Sequence, residues 1–334
     1  MDNPQYWESI EHLESILKKN KEYDKLSKLY DKLTKLVENP QKLISIHFNA
    51  GQLGEEQFED LSYSISHYNA ILKLQPDHKE SINRLLELYR LEQSWAKLAF
   101  IYKQKLELTE NKEETISNLY EQATIYRNQL NWNQKAVNCY LKILELDNHN
   151  LKTLNELEKL CREQNLNDQL IQTLEQKLNI TTNPGIKKQI LQELGQLCTN
   201  QKTYYPQKAI QFFQQLLKIE ETDLKSWQEL HKLYKDMGNY EALAKVIKKE
   251  VNILRKSQNA DQKNKSVELL FELTDIYENY LGNIENTIKS LEKVLSIDAD
   301  NVKSLEILSR LYRESNNEEK LLEILNKYVK VAQQ

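Results

Sequence analysis

Apolar residues recur along this chain in steps of three and four, so each successive stretch carries a single apolar stripe. Ile82, Leu85, Leu86 and Tyr89 form one stripe, and Leu98, Ile101, Tyr102 and Leu106 form the next. That period is the signature of amphipathic α-helices. Neither helix can bury its stripe alone, so consecutive helices must pair and the pairs must stack into one continuous core.

The pattern repeats at a longer interval. A segment beginning PQYWESIEHLESILKKNKEYDKL at Pro4 returns as PDHKESINRLLELYRLEQSWAKL at Pro76, and again from Asp147, Glu220 and Asp298. A second type of hairpin stands between these copies. An aromatic or cysteine closes the first helix at Tyr89, Tyr126, Cys161, Cys198, Tyr234, Tyr277 and Tyr312, in steps of 35 to 37 residues apart from one of 43. Prolines at 4, 40, 76 and 184 keep the same register and fall at or just before expected helix starts, where a missing N–H costs least. Together the two markers predict an all-α chain of stacked hairpins.

Composition agrees. Six glycines and five prolines in 334 residues are too few for a strand-and-turn architecture. Leu, Lys, Glu and Gln favour helices, whereas Asn tends to mark their ends. The 46 basic and 50 acidic residues leave a net charge of -4, which gives no global pull toward nucleic acid or anionic lipid. Three widely spaced cysteines, Cys139, Cys161 and Cys198, fit a reduced compartment better than a disulfide framework. No apolar run approaches the length of a membrane span. The N-terminus has early acidic residues and no apolar leader. A cytoplasmic or nuclear location is the expectation.

The unit resembles the tetratricopeptide repeat, a helix-turn-helix with small residues where its helices touch. Ala123, Gly195 and Thr274 suit the small position of the first helix, and Ala136, Ala209 and Thr287 that of the second, with Tyr140 and Phe213 as large partners. Pro76 suits the proline that ends a repeat. Alternate hairpins depart from the pattern, carrying Leu86, Glu158, His231 and Ser309 at the first small position and Leu98, Leu170 and Leu243 at the second. The resemblance implies a single α-solenoid, a right-handed superhelix of about nine hairpins: 4–38, 40–75, 76–111, 112–147, 148–183, 184–220, 221–258, 263–298 and 299–334. Within it, GQLGEEQFED at 51–60 reads as a long inter-helix loop. The polar tract at 256–266 reads as a flexible, protease-sensitive link. The last helix, with Leu321, Leu322, Leu325 and Val329 on one face, has no polar cap, which suggests that a further domain or partner sits there.

No motif for a metal, a phosphate or a catalytic nucleophile occurs in the sequence. The cysteines fall at core-facing repeat positions, and the six histidines (12, 47, 67, 78, 149 and 231) are dispersed. Acidic residues in first turns follow from the helix dipole. No enzyme activity and no cofactor are expected.

In the resembled family the first helix of each hairpin lines a concave face that binds partners. Carried onto this chain, those positions are Lys152, Asn155, Lys159 and Arg162, then Lys225, Gln228, Lys232 and Lys235, then Lys303, Glu306, Arg310 and Arg313. An earlier copy offers Glu80, Asn83, Glu87 and Arg90. Intervening hairpins offer Tyr120, Thr124 and Arg127, then Gln189, Gln192 and Gln196, then Glu268, Phe271 and Asp275. The basic residues suit carboxylates of an acidic partner segment, and the amides suit an extended backbone. A solvated face of a Lys-rich chain is the plain alternative. The Lys152–Asn155 spacing is similar to the carboxylate clamp of some family members, but the full set is not matched. The function expected is a non-catalytic scaffold for other proteins. The alternative is an RNA-binding or RNA-processing factor whose Lys and Arg stripes contact phosphates.

Overall fold

The computed structural model describes residues 4–58, 60–200, 204–256 and 259–333. Among them stand eighteen α-helices and no strand, in two compact units. The first unit extends to Leu166. It holds α1 (Pro4–Lys19), α2 (Tyr23–Leu36), α3 (Pro40–Leu53), α4 (Leu61–Leu74), α5 (Lys79–Leu91), α6 (Trp95–Glu107), α7 (Lys112–Asn128), α8 (Asn133–Leu146) and α9 (Leu151–Glu163). The second begins at Asn167. It holds α10 (Asn167–Ile180), α11 (Pro184–Thr199), α12 (Pro206–Ile219), α13 (Leu224–Asp236), α14 (Tyr240–Leu254), α15 (Ala260–Asp275), α16 (Ile284–Ile297), α17 (Val302–Glu314) and α18 (Glu318–Ala332). Within each unit every helix packs on the next in the chain.

The helix boundaries follow from local chemistry. Pro4, Pro40, Pro184 and Pro206 each open a helix, and Asn or Asp side chains commonly cap the first turn. Asn39, Asn111, Asn150, Asp223 and Asn301, for example, each accept a backbone N–H two or three residues on, which satisfies a donor the helix leaves unpaired. At the other end, the residue that closes each repeat stripe is tied to the turn. The carbonyls of Tyr89, Cys161, Tyr234 and Tyr312 accept the N–H of Ser94, Leu166, Asn239 and Asn317, all at 2.9 Å. One residue before each of those donors, Gln93, Asn165, Gly238 and Asn316 take a left-handed φ of 52° to 66°. This is the six-to-one closure of a Schellman turn. The spacing of closing residues is thus a spacing of helix ends.

Two kinds of hairpin alternate. α3/α4, α7/α8, α11/α12 and α15/α16 pair more closely than α1/α2, α5/α6, α13/α14 and α17/α18. Gly195 explains one close pair: a Cβ there would come within 2.6 Å of the Phe213 ring, so the ring lies directly on the α11 backbone. Large side chains separate the other class, with Leu98 and Leu243 fully buried where a small residue would let the helices meet.

Two expectations require correction. The segment read as a loop at 51–60 is helical through Phe58: α3 runs to Leu53 and continues as a π-helical turn, Gly54–Phe58, while Glu59 lies outside the described residues. Its Gly51 is no loop residue but a packing residue, since a Cβ there would meet the Tyr68 ring at 2.7 Å. The polar tract at 256–266 is mostly helix, because Asn259 caps α15 through Asp261 N–H; residues 257 and 258 lie outside the described residues. A second π-helical turn, Ile276–Tyr280, follows α15 and places Tyr277 in the core and Tyr280 on Tyr240, ring centroids 3.8 Å apart.

Candidate interaction face

Within each unit the odd-numbered helices lie side by side, and their polar residues meet across the helix gaps. In the first unit Arg90 of α5 pairs with Glu121 of α7 at 3.2 Å. Arg127 of α7 donates to Glu156 at 2.8 Å and Glu163 at 2.9 Å, both on α9. Lys152 sits 3.8 Å from the centroid of the Tyr120 ring. In the second unit Lys235 of α13 donates to Glu272 of α15 at 2.7 Å. Lys303 of α17 lies over Phe271 at 4.7 Å, and Arg310 pairs with Glu278. Such pairs repeat because adjacent repeats bring the same helix faces together.

The most enclosed of these contacts centres on His231. One ring nitrogen is 2.8 Å from Glu250 of α14 and the other 3.3 Å from Glu272. Burial acts to lower its pKa, but the hydrogen bonds and charges of the two glutamates outweigh it and raise the value to about 9. The ring is therefore a cation at neutral pH and donates from both nitrogens. Glu272 is held down to about 2, first by its hydrogen bond from His231 and then, against burial, by that from Lys235.

The sequence-predicted residues divide between the units. Lys152, Asn155, Lys159 and Arg162 are exposed on α9 of the first unit. The second unit presents Lys225, Lys232 and Lys235 exposed and Gln228 half-buried on α13, with Lys303, Glu306, Arg310 and Arg313 exposed on α17. α15 lies between those two helices, contributing Glu272 and Phe271. Several of these charges already have partners. Arg162 pairs with Glu158 on its own helix, Lys232 with Glu229, and Glu306 accepts from Tyr328. Lys159, Lys225 and Arg313 are exposed and form no ion pair among the described residues.

Sequence reasoning missed Glu250, Glu272 and the pairing of His231, because no local spacing announces a contact between three helices. It also missed a histidine pair in the first unit, where His47 and His67 face each other with Nδ1 atoms 2.8 Å apart. Burial, then the neighbouring His67, lowers His47 to about 4, so neutral rings share the hydrogen bond. His78 caps α5, accepting Ser81 N–H at 3.2 Å. All three cysteines are buried, and burial raises each thiol to about 11, far from the range of a reactive thiolate. Among the described residues no group of His, Cys, Asp and Glu is arranged to hold a metal ion, and no helix is long and apolar enough to cross a membrane.

Paired helices, Schellman closures and a period of about 36 residues define a helical-repeat protein, and a family match over one hairpin supports the tetratricopeptide type. Residues 116–150, spanning most of α7 and all of α8, match the tetratricopeptide repeat family model. No curated protein matches the chain's sequence. Among solved structures, a tetratricopeptide repeat protein from Parabacteroides merdae is 15% identical, with 84% of this chain and 98% of that one covered and a TM-score of 0.31. YrrB, described as having an unusual peptide-binding site, is 17% identical over 62% of this chain and 96% of its own, with a TM-score of 0.30. MamA from Desulfovibrio magneticus is 14% identical over 56% and 96%, with a TM-score of 0.29.

Proposed function

We propose that the protein is a non-catalytic scaffold that binds an extended, acidic segment of a partner protein along the odd-helix face of its second unit. The observation that carries this reading is the exposed line of basic residues on α13 and α17: Lys225, Lys232, Lys303, Arg310 and Arg313. Lys225 and Arg313 leave their charge open to solvent, ready for a carboxylate. Lys303 is pre-positioned over Phe271, which lowers the entropic cost of using it, while Arg310 is already held by Glu278. Gln228, half-buried between them in sequence, suits a backbone amide of an extended chain. The α9 residues Lys152, Asn155, Lys159 and Arg162 offer a second, separate basic surface on the first unit.

Affinity capture from native extract tests this, run with and without nuclease, on wild type and on a Lys225→Glu, Lys232→Glu, Arg313→Glu triple variant. Lys235 is left alone because it neutralises Glu272. Protein partners that survive nuclease and fall roughly thirtyfold in the variant are expected, from about 0.7 kcal/mol per lost exposed charge contact. Recovery of RNA, with nuclease removing everything else, would replace this reading with nucleic-acid binding.

A further inference from the structure

Asp31, Lys103, Glu175 and Lys248 stand at one repeat position, five residues after the buried Leu26, Leu98, Leu170 and Leu243 of α2, α6, α10 and α14. At two of these copies an acid meets a donor on the next even-numbered helix. Asp31 accepts from Tyr63 of α4 at 3.4 Å, and Glu175 accepts from Lys208 of α12 at 2.8 Å. Lys103 and Lys248 reverse the charge. In the first unit Lys103 lines a cavity with Lys135 and Lys142 of α8, and Glu107 on the same lining supplies a carboxylate. The second unit differs. There Lys248 lines a cavity of about 310 Å³ with Asn286, Lys289, Ser290, Lys293 and Ser296 of α16. Glu292 is also on that lining, but it is taken, accepting from Tyr312 at 2.9 Å and from Lys320 at 3.1 Å. Lys289 pairs with Glu285 on its own helix.

Lys248, Lys293 and the nearby Arg255 form no ion pair among the described residues. Arg255 reaches the cavity edge at Ser296, donating to its hydroxyl at 3.3 Å. Lys248 is held over Tyr277, 4.9 Å from the ring centroid. Burial, then the charges of Lys248 and Arg255, lowers the pKa of Lys293 below its ordinary value. Three cations thus crowd one another with no carboxylate of the chain set between them. We infer that this cavity binds a phosphate group, with Lys248, Lys293 and Arg255 donating to its oxygens and the Ser296 hydroxyl at its rim. A phosphate monoester carries nearly two negative charges and three strong acceptor oxygens, which suits three converging cations better than the single charge of a carboxylate. Free phosphate and a phosphorylated side chain share this chemistry. None of these residues is among those of the partner-binding reading, so the two proposals fail independently.

Calorimetric titration of the full chain at fixed ionic strength and about pH 7.5, where phosphate is mostly doubly charged, tests it. The probes are inorganic phosphate, acetyl-phosphoserine amide and, as a carboxylate control, acetyl-aspartate amide. Saturable binding of a phosphate probe is expected, about tenfold or more tighter than that of the aspartate probe. Tighter binding of the phosphoserine probe assigns the site to a phosphorylated side chain, and tighter binding of inorganic phosphate assigns it to the free ion. Lys248→Gln with Lys293→Gln is expected to weaken binding about tenfold or more, whereas Lys248→Arg with Lys293→Arg keeps it. Relief of repulsion should leave the glutamine variant melting no lower than wild type without phosphate, so its lost binding is not a lost fold. The Lys225→Glu, Lys232→Glu, Arg313→Glu variant is expected to bind phosphate as wild type does. No saturable binding of either phosphate probe, equal binding of the aspartate probe, or undiminished binding in the glutamine variant overturns the proposal.

Discussion

Burial ordinarily strips a histidine of its proton, yet His231 keeps its own because Glu250 and Glu272 accept from both ring nitrogens. The consequence is a stability that depends on pH. With a folded pKa of about 9 against about 6.5 in an unfolded chain, the bound proton stabilises the second unit fully below about pH 6.5. That contribution is lost as pH rises through about 9. His47 carries the opposite sign: with its folded value lowered to about 4, the first unit loses stability as pH falls from about 6.5 toward 4. Replacing His231 by Gln should destabilise the protein at pH 6.5 by on the order of 2 kcal/mol, and the gap should close above about pH 9. Urea midpoints of both proteins at pH 6.5 and 9.5 check this; a gap of equal size at both would show that the proton is not what matters. At this scale the sequence was only partly legible. His231 stood out as a large polar residue at a small-residue position, but its two glutamates lie on other helices and carry no spacing signal.

At the scale of the helix pair, small residues decide which hairpins close tightly. Gly195 lies beneath Phe213 and Gly51 beneath Tyr68. In an open helix, exchanging glycine for alanine gains about 1 kcal/mol from propensity. Here the new Cβ would press on a ring in a filled core, which costs about 1–3 kcal/mol. Gly195→Ala is therefore expected to lower the denaturation midpoint; a rise would mean that the ring does not rest on the α11 backbone. The pairing around Gly195 was readable, since Gly195, Ala209 and Phe213 follow the family pattern. The equivalent set Gly51, Ser64 and Tyr68 repeats the spacing of Ala123, Ala136 and Tyr140. A second glycine nearby, at Gly54, drew the sequence reading toward a loop and hid that spacing. The helix ends were readable for a firmer reason: the closing aromatic or cysteine is also the carbonyl that the turn bonds to, so one residue marks both stripe and stop.

Across the whole molecule, repetition makes the fold legible and leaves the proposed binding face only half so. The hydrophobic period and the proline register need no tertiary information, because within each unit every helix packs on the next in the chain. Charge is different. The positions carried over from the family predicted a run of basic residues, and the structure places many of them on exposed faces, but it also sets carboxylates of adjacent repeats against them. Lys235 and Arg310 are occupied by Glu272 and Glu278. What is open to a partner on the second unit is the remainder, above all Lys225 and Arg313, and that remainder depends on inter-helix register, which a linear sequence does not display.

The central claim is that a partner lies along the odd-helix face of the second unit. A photo-activated cross-linking residue placed at Lys225, with Lys245 on the exposed side of α14 as the control position, tests it most directly. Acidic protein segments cross-linked from position 225 and absent from position 245 are the predicted result. Equal labelling from both positions, or labelling of nucleic acid alone from 225, would contradict it.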